Sequence, residues 1–380
     1  MTIIVFSHKE SWISSQSPTG WATDGGFSIH MDYLSSLFEK MEIWVPEVAE
    51  RPVGEVTYTS KKITIRPINF NFSRGLKRKF QVLLWAITNA RSIWLAIKQH
   101  DSVHVPIPSD IGTIGIWFAL LQRKPLYIRY CGNILNLKTP MERYWVWLLT
   151  RIAGGKNVIL ATGGGKEYPV PSNKNIKWIF SSSLTKESLF EFRNPKSNPP
   201  SKTGELKLGY LGRVENGKGI ENILKTLPLL QKSLEKLKVK LYIAGDGSIK
   251  KELESKWKDQ SVIFTGKLSR NEVKSFLQDI DIFIFPSESE GFPKVVLEAM
   301  ASGLPVVASA VSILPKLVEQ SGSGKALEAT SPEDLADAIK VIVEDSSTYF
   351  KMSQNAFKEA QKYTLENWIA NIAMHLNKGW

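Results

Sequence analysis

The chain has 380 residues, of which 43% are hydrophobic and 23% charged, and this length is enough for two domains of ordinary size. The apolar runs at 111–121 and 145–149 are shorter than the about 20 residues needed to cross a bilayer. The N-terminal MTIIVF predicts a first strand rather than a secretory signal. Cys131 is the only cysteine, which excludes an intrachain disulfide and disfavours a cysteine zinc site. We therefore expect a globular cytoplasmic protein.

The net charge of +12 is unevenly distributed. Residues 1–170 hold 20 lysines and arginines against 12 acids, and no acid occurs between residues 56 and 100. The bases in that stretch are Lys61, Lys62, Arg66, Arg74, Lys77, Arg78, Lys79, Arg91 and Lys98. Trp85 and Trp94 lie among them, and this mixture fits either a core helix with a solvated basic face or an anionic membrane surface. No nucleic-acid motif is present, so we expect no nucleic-acid partner.

Strand-like and helix-like runs alternate through the first half of the chain. Strands are predicted at 3–6, 41–46, 102–106, 125–130 and 157–161. Helices are predicted between them, for example after Asp24 and after Asp110. This alternation favours a doubly wound parallel sheet, α/β in class.

The pattern is interrupted near Phe192 by a polar, proline-rich segment, and then it restarts. We interpret residues 191–204 as a linker between a first domain, 1–190, and a second, 205–362. The strands predicted in the second domain are 206–212, 239–245, 261–266, 281–286 and 305–309. A last helix, within 363–380, carries Trp368 and Ile372 on one face.

Two features of the first domain could contact a ligand. Gly25 and Gly26 open a helix, and paired glycines there allow backbone N–H groups to approach a phosphate, although a helix-entry turn without ligand is also compatible. His104 ends a strand and could face a cleft between the domains. A buried, hydrogen-bonded histidine is the more common alternative.

In the second domain, the strand at 206–212 runs into a basic glycine loop. Gly212 and Gly217 allow the backbone to turn, while Arg213 and Lys218 place two cations near a helix start that could bind an anion. The spacing approaches that of a Walker A loop. However, Gly219 replaces the Ser or Thr that would hold Mg²⁺, which disfavours a P-loop NTPase. A basic loop without any ligand remains an alternative.

Two further motifs carry weaker signals. The turn Gly245–Gly247 lacks the spacing of a dinucleotide-binding loop, and a plain strand-to-helix turn explains it equally well. The acidic pair Asp279 and Asp281 leads directly into a strand, and we interpret it as structural. No metal site is expected.

The segment 283–309 is the most informative, because it predicts a strand, a loop, a helix and a second strand. Glu290 lies in the loop and Glu298 on the helix, where ligands of parallel sheets bind outside the strand ends. A helix carboxylate can accept hydrogen bonds from a ribose diol, a loop carboxylate can accept them from sugar hydroxyls, and the helix start at Lys294 points at an anion between them. The arrangement favours a nucleotide diphosphate sugar over two unrelated surface glutamates.

These residues resemble a known family. GR-x4-KG at 212–219, IAGDG at 243–247, VIFTG at 262–266 and EGFPKVVLEAMASGLPVVAS from Glu290 are similar to retaining glycosyltransferases of the GT-B fold. The resemblance is to the large fourth family with its glycosyl transferases group 1 domain. It implies two Rossmann-like doubly wound parallel-sheet domains that face each other across a cleft, and a final helix, 363–380, that crosses back to the first domain.

The resemblance also implies roles for individual residues. Arg213 and Lys218 would bind the donor diphosphate and, with Glu290, support catalysis, while Glu298 would hold the ribose. The remaining residues implied around the donor are Gly25, Gly26, Gly212, Gly245, Gly291, Phe292, Pro293, Lys294 and Val295. No cofactor or metal is implied.

Two positions depart from the family pattern. Many members have Gly-Leu-Pro where this chain has Pro293, Lys294 and Val295. Some members have a histidine near the end of the strand that here carries Arg129. We therefore assign no catalytic histidine, and we predict acceptor contacts only for His104 and Arg129.

The resulting hypothesis is a retaining glycosyltransferase that moves a sugar from a nucleotide diphosphate sugar to a saccharide or lipid-linked saccharide. It would act in bacterial envelope polysaccharide synthesis, in the cytoplasm or peripherally on the inner face of the plasma membrane. The alternatives are a sugar-nucleotide epimerase on the same fold and a non-catalytic membrane-surface binding protein.

Overall fold

The computed structural model describes residues 1–49, 55–70, 76–132, 134, 137, 139–163, 169–170, 173–192, 204–257 and 260–380. The chain divides into two compact units. The first unit is Met1–Ile179 together with Trp368–Trp380, and the second is Phe180–Asn367. The predicted linker, 191–204, lies mostly outside the described residues.

The first unit is built on a seven-stranded parallel sheet of order β10-β9-β8-β7-β1-β4-β6, with a separate three-stranded antiparallel sheet, β2-β3-β5. Its strands are β1 (Thr2–Phe6), β2 (Ser11–Ile13), β3 (Trp21–Asp24), β4 (Lys40–Pro46), β5 (Glu55–Thr57), β6 (Ile63–Ile68), β7 (Ser102–Ile107), β8 (Leu126–Tyr130), β9 (Asn157–Ala161) and β10 (Ile176–Trp178). Its helices are α1 (Phe27–Ser35), α2 (Leu76–Gln99), α3 (Asp110–Leu121) and α4 (Pro140–Ile152).

The second unit contains a six-stranded parallel sheet of order β13-β12-β11-β14-β15-β16. Its strands are β11 (Gly204–Leu211), β12 (Leu237–Ala244), β13 (Val262–Gly266), β14 (Ile282–Phe285), β15 (Val306–Ser309) and β16 (Gly324–Leu327). The helices from residue 186 onward are α5 (Lys186–Phe192), α6 (Ile220–Ser233), α7 (Lys250–Lys256), α8 (Arg270–Asp279), α9 (Lys294–Ala301), a π-helix (Pro315–Gln320), α10 (Pro332–Glu344), α11 (Ser346–Ala360), a 3₁₀ turn (Gln361–Tyr363) and α12 (Leu365–Gly379).

The two parallel sheets confirm the predicted fold class. Ile3, Ile4 and Val5 of β1 are all fully buried, as expected for a central parallel strand covered on both faces. The short antiparallel sheet and the edge strands β6, β10 and β16 were not predicted from the sequence. Strand β6 alternates buried and exposed residues and contains Pro67, which an edge strand tolerates.

The first unit ends at Ile179, whereas the first domain was predicted to end at residue 190. Helix α5 packs against α8 and α9, so it belongs to the second unit. At the other end, Trp368 and Ile372 of α12 are fully buried, and the part of this helix from Trp368 onward is assigned to the first unit. Trp380, the residue after this helix, donates a hydrogen bond from Nε1 to the Lys156 carbonyl at 3.0 Å.

Helix α2 is longer than the apolar runs at 111–121 and 145–149 that were considered as membrane spans. Among the described residues, Lys77–Gln99 is long and apolar enough to cross a membrane by length and composition alone, and 22% of its most apolar window is buried. The charged residue Arg91 interrupts the apolar run of this helix, so the segment was not among the apolar runs considered as membrane spans.

The strand order locates the loops that can form a site. In the second sheet, the chain builds outward on both sides of the β11–β14 pair. Loops that follow such a pair diverge to opposite faces of the sheet and leave a crevice at the carboxyl ends. The loops after β11 and β14 carry Lys218 and Glu290.

Candidate functional site

The glycine loops after β11 and β12 are tied together by their backbones. The Gly212 amide donates to the Ala244 carbonyl at 3.0 Å, and the Val214 amide donates to the Asp246 carbonyl at 2.9 Å. Gly245 has a φ of +138°, and a Cβ there would lie 1.8 Å from the Gly212 carbonyl oxygen. Only glycine therefore permits this close approach.

Gly219 is a second position where only glycine fits. It begins α6 with a φ of +70°, and a Cβ would lie 2.3 Å from the carbonyl oxygen of Pro286, the residue that follows β14. The loops after β11 and β14 are therefore in direct contact. A Ser or Thr of a Walker A loop would clash at this position, which argues physically against the P-loop alternative.

This contact brings together two of the predicted catalytic residues. Lys218 Nζ lies 2.6 Å from Glu290 Oε1, and each side chain is only 14% exposed. The buried Ser287 hydroxyl accepts a hydrogen bond from Lys218 Nζ at 3.2 Å and donates one to Glu290 Oε1 at 2.7 Å. Ser309 in turn donates to the Ser287 carbonyl, so the sheet holds this loop in place.

Ser287 was not predicted as a site residue. A signal was available in the sequence, since Ser287 directly follows the strand–proline run and precedes Glu290 by three positions. Serine is common in loops, however, and its contact with Lys218 depends on the tertiary structure.

Arg213 has a more exposed environment than Lys218. Its side chain is 70% exposed and forms an ion pair with Glu215 at 2.8 Å. Its carbonyl accepts a hydrogen bond from the Tyr210 hydroxyl at 2.9 Å. Burial raises the pKa of Tyr210, the Glu290 carboxylate raises it further, and the Arg213 charge opposes the rise. The Tyr210 hydroxyl therefore lies within the electrostatic influence of both predicted residues.

Glu298 is positioned by contacts within the second unit. Its Oε1 accepts a hydrogen bond from the Ser183 hydroxyl at 2.5 Å, and the Ser183 carbonyl accepts one from Arg270 at 3.1 Å. The residue is partly exposed, but protein atoms surround its carboxyl group. Burial raises the pKa of this carboxyl, while the Ser183 hydrogen bond and the charges of Lys294 and Arg270 oppose the rise. The sequence contained no signal for Ser183.

The loop between Glu290 and α9 is fixed by a hydrogen bond to its backbone and by aromatic packing. The Gly291 carbonyl accepts a hydrogen bond from Ser312 at 3.1 Å, and the Phe292 ring packs near Phe180 and Tyr363. Helix α9 then begins after Pro293, with Lys294 and Val295 as its first two residues.

The helices after the predicted glycine loops begin without side-chain caps. This holds for α1 after Gly25 and Gly26, α6 after Gly219, α7 after the Gly245 turn and α9 after Pro293. In contrast, α3, α4, α8 and α10 begin with a Ser or Thr that accepts a backbone hydrogen bond. An uncapped helix start has N–H groups and a positive dipole end that can bind an anion.

The structure places His104 in the core of the first unit, which removes the basis for its predicted acceptor contact. It is 1% exposed, its Nδ1 lies 2.9 Å from the Tyr127 carbonyl, and its ring stacks on that of Tyr127 at 4.3 Å. Burial lowers the pKa of His104 to about 3. The buried, hydrogen-bonded alternative describes this residue better.

Arg129, the other predicted acceptor contact, is 8% exposed. Its guanidinium carbon lies 5.2 Å from the Trp368 ring centre, and Nη1 lies 3.4 Å from His30 Nδ1. These contacts join β8, α12 and the helix that starts after Gly25 and Gly26. A structural role explains them without any ligand.

No group of three or more metal-ligating His, Cys, Asp or Glu residues occurs in the part of the chain that the structure describes. Asp279 pairs with Lys207 Nζ at 2.7 Å, and Asp281 accepts a hydrogen bond from the Lys207 amide at 2.8 Å. Both contacts fit the structural interpretation of this acidic pair.

Residues 192–359 match the family model described as "Glycosyl transferases group 1". The chain is 31% identical to the sulfoquinovosyl transferase SQD2 of Arabidopsis thaliana over 179 residues, which is 44% of this chain and 34% of that protein. It is 32% identical to the poly(glycerol-phosphate) alpha-glucosyltransferase of Bacillus subtilis over 184 residues, or 48% of this chain and 27% of the relative. It is 27% identical to the alpha-monoglucosyldiacylglycerol synthase of Streptococcus pneumoniae over 266 residues, which is 63% of this chain and 58% of that protein. The chain thus spans less than two thirds of each relative.

Solved structures match the whole chain in fold. The HepE protein of Anabaena, crystallised with UDP and glucose, has a TM-score of 0.70 at 18% identity, with 100% of each chain covered. WaaG, a glycosyltransferase involved in lipopolysaccharide biosynthesis, has a TM-score of 0.66 at 14% identity and covers 99% of this chain and 100% of its own. These likenesses show that the two Rossmann-like units form the GT-B fold.

Proposed function

We propose that this chain is a group 1 glycosyltransferase that transfers a sugar, with retention, from a nucleotide diphosphate sugar to a saccharide or lipid-linked saccharide. The match of residues 192–359 to the model of that family supports the proposal. The observation that carries the proposal is the 2.6 Å pair of Lys218 and Glu290 at the switch point of the second sheet. It provides a sheltered cation for a phosphate and a carboxylate for sugar hydroxyls at one place.

The reaction requires stabilisation of charge on the leaving group. As the bond from the anomeric carbon to the diphosphate breaks, negative charge grows on the departing oxygen, and fixed cations and helix N-termini lower the energy of that state. We propose that Lys218 turns from Glu290 to the diphosphate, with Arg213 and the uncapped starts of α6 and α9 adding positive potential. Because these groups supply the positive charge, the proposal includes no metal ion or cofactor.

Glu290 and Glu298 have separate roles in this proposal. Once Lys218 contacts phosphate, the Glu290 carboxylate is available to sugar hydroxyls, and Glu298 accepts hydrogen bonds from the ribose diol. The different surroundings of the two groups support this division. Glu290 is bound to an ammonium group, whereas Glu298 is held by the neutral Ser183 hydroxyl.

We propose an envelope glycan or glycolipid as the product, made in the cytoplasm or at the inner face of the plasma membrane. The names of similar proteins support this choice, since they specify a diacylglycerol glycolipid, poly(glycerol phosphate) and lipopolysaccharide biosynthesis. Nucleic acid is not part of the proposal.

A thermal-shift screen with UDP, GDP, ADP and CMP tests donor binding. We expect one nucleotide to stabilise the protein by about 2.7 kcal/mol when its concentration is about 100 times its Kd. Lys218→Gln should reduce the shift, whereas Lys251→Gln, an exposed lysine on α7, should leave it unchanged. The absence of a shift with every nucleotide would contradict the proposal. Turnover of a labelled nucleotide sugar without any acceptor would instead favour the epimerase.

A further inference from the structure

Helix α2 has two apolar faces, and the described part of the first unit covers only one of them. Trp85, Ile93 and Ile97 are buried in the core. On its other side lie large apolar residues that are 41% to 68% exposed, spaced mostly three, four or seven positions apart. We call them the outer stripe: Phe80, Leu83, Leu84, Ile87, Trp94 and Leu95. Soluble proteins rarely leave so much contiguous apolar surface without a partner.

The charges around the outer stripe are predominantly positive. Lys77, Arg78 and Lys79 begin the helix, Arg91 lies within the stripe and Lys98 is in the last turn. Among the described residues, Asp110 of α3 is the only acidic ion-pair partner of these bases, and it pairs with Arg78 at 2.7 Å. A second copy of this chain would bring like charges together across the stripe. An anionic lipid surface would pair with the bases and cover the apolar residues at the same time.

A pocket with both polar and apolar walls opens beside this stripe. It is a cavity of about 540 Å³ between the end of β6 and α2, and Leu84 belongs both to its wall and to the outer stripe. Arg66 is the only charged side chain among the described residues of its wall, and its guanidinium carbon lies 4.7 Å from the Trp44 ring centre. The polar lining residues are Asn69, Gln81, Thr88, Asn89 and Ser92. A guanidinium in a wall that also carries amides and hydroxyls suits a phosphate that carries polar substituents.

Helix α2 has the length to span a bilayer, but its packing favours a position in the membrane plane. Trp85, Ile93 and Ile97 belong to the same hydrophobic cluster as Ile4 and Val105 of the central strands. A spanning helix would have to leave that cluster and expose it to water. A helix with one face in the core and the other in the lipid interface satisfies both surfaces.

We propose that the outer stripe inserts into an anionic membrane surface and that the adjacent pocket binds a phospholipid phosphate through Arg66. The inference does not depend on the transfer reaction, because none of these residues belongs to the nucleotide site. Vesicle binding and nucleotide binding can therefore fail separately.

Co-sedimentation of the full chain with vesicles tests the stripe. We expect binding at low salt to phosphatidylcholine vesicles that contain phosphatidylglycerol, and release at high salt. Ile87→Asp should weaken this binding by about tenfold, since it replaces an inserted apolar residue with a charge that anionic lipid repels. Val341→Asp is the matched control, at a residue 52% exposed on α10, and should bind like wild type. Retained binding by Ile87→Asp, or no binding by wild type, would overturn the inference.

The pocket is tested by Arg66→Lys, which keeps the charge but removes the planar, two-pronged donor. A phosphate held in the pocket predicts about fivefold weaker binding to the anionic vesicles, whereas general attraction predicts no change. An unchanged affinity would rule out the pocket as the phosphate site. The nucleotide-induced thermal shift of each variant should match wild type, which verifies folding.

Sedimentation velocity without lipid tests whether the outer stripe binds a second copy of the chain. If the wild-type protein is a dimer and Ile87→Asp is a monomer, the stripe is a self-interface and the inference is wrong.

Discussion

Lys218 and Glu290 form an ion pair in which both side chains are mostly buried. Removal of one partner from such a pair leaves the other charge without compensation, so truncation affects both folding and chemistry. The two effects can be separated by comparing turnover with nucleotide binding.

We expect Lys218→Ala to lower kcat by roughly 10² to 10³, because the charge that it removes acts mainly on the departing diphosphate. Donor binding should weaken much less. Steady-state kinetics and calorimetric titration of the nucleotide measure the two quantities. Equal losses in kcat and affinity would show that Lys218 acts in uniform binding, and Lys251→Ala should change neither.

Glu298 predicts a pH-dependent stability. Its pKa is raised in the folded protein, so its protonated form favours folding at low pH, and this contribution is lost as the pH rises through the folded pKa. Glu298→Gln cannot ionise. The melting temperature of this variant relative to wild type should therefore increase from about pH 4 upward.

The measurement is thermal unfolding without nucleotide across that pH range. Glu235→Gln, at an exposed glutamate, is the control and should follow wild type. A constant difference between Glu298→Gln and wild type at all pH values would contradict the raised pKa.

At the scale of single elements, helix starts distinguish the candidate site from the rest of the second unit. Helices α8 and α10 begin with Ser269 and Ser331 in capping boxes, which satisfy backbone N–H groups internally. Helices α6 and α9 follow the N-cap residues Gly219 and Pro293, which form no such bonds. A start that lacks a side-chain cap can bind a ligand anion without losing an internal bond.

Gly219→Ala tests the contact between the loops after β11 and β14. The added Cβ would meet the Pro286 carbonyl, and we expect a loss of about 1–3 kcal/mol in stability together with weaker nucleotide binding. Gly266→Ala is the matched control, because its φ of +77° is similar but its nearest neighbour, Lys250 Nζ, is 3.7 Å away. Urea unfolding and the nucleotide thermal shift measure the two effects. Equal behaviour of the two variants would show that backbone strain alone is responsible.

At the scale of the whole molecule, the two units contain different parts of the chain and should respond to different changes. Trp368 is fully buried and belongs to the first unit, where its ring lies 4.8 Å from that of His30. Nucleotide binding is proposed for the second unit. Separate perturbations should therefore shift separate parts of the unfolding curve.

We expect Trp368→Ala to destabilise the first unit by about 3–5 kcal/mol, because it leaves a large cavity. The proposed nucleotide should raise only the transition of the second unit. Differential scanning calorimetry resolves the two, and Trp147→Ala, at a residue 47% exposed, should have little effect. A single transition shifted by both changes would show that the units unfold together.

The class of the fold, most of the central strands and the motif from Glu290 to Glu298 could be predicted from the order of residues alone. Parallel strands buried on both faces are short apolar runs such as 283–285, and helical periodicity placed Trp368 and Ile372 on one buried face. These are local properties of the chain, so they can be recognised from the order of residues in the sequence.

Which side chains meet depends on the folded chain as a whole. Lys218 and Glu290 are 72 residues apart, and Ser183 and Glu298 are 115 apart. Their contacts depend on strand order and on the close passage of backbones, neither of which has a local pattern. In the same way, periodicity showed neither that the core encloses His104 nor that it covers one face of α2 and leaves the outer stripe exposed. Burial is set by neighbours from distant parts of the chain.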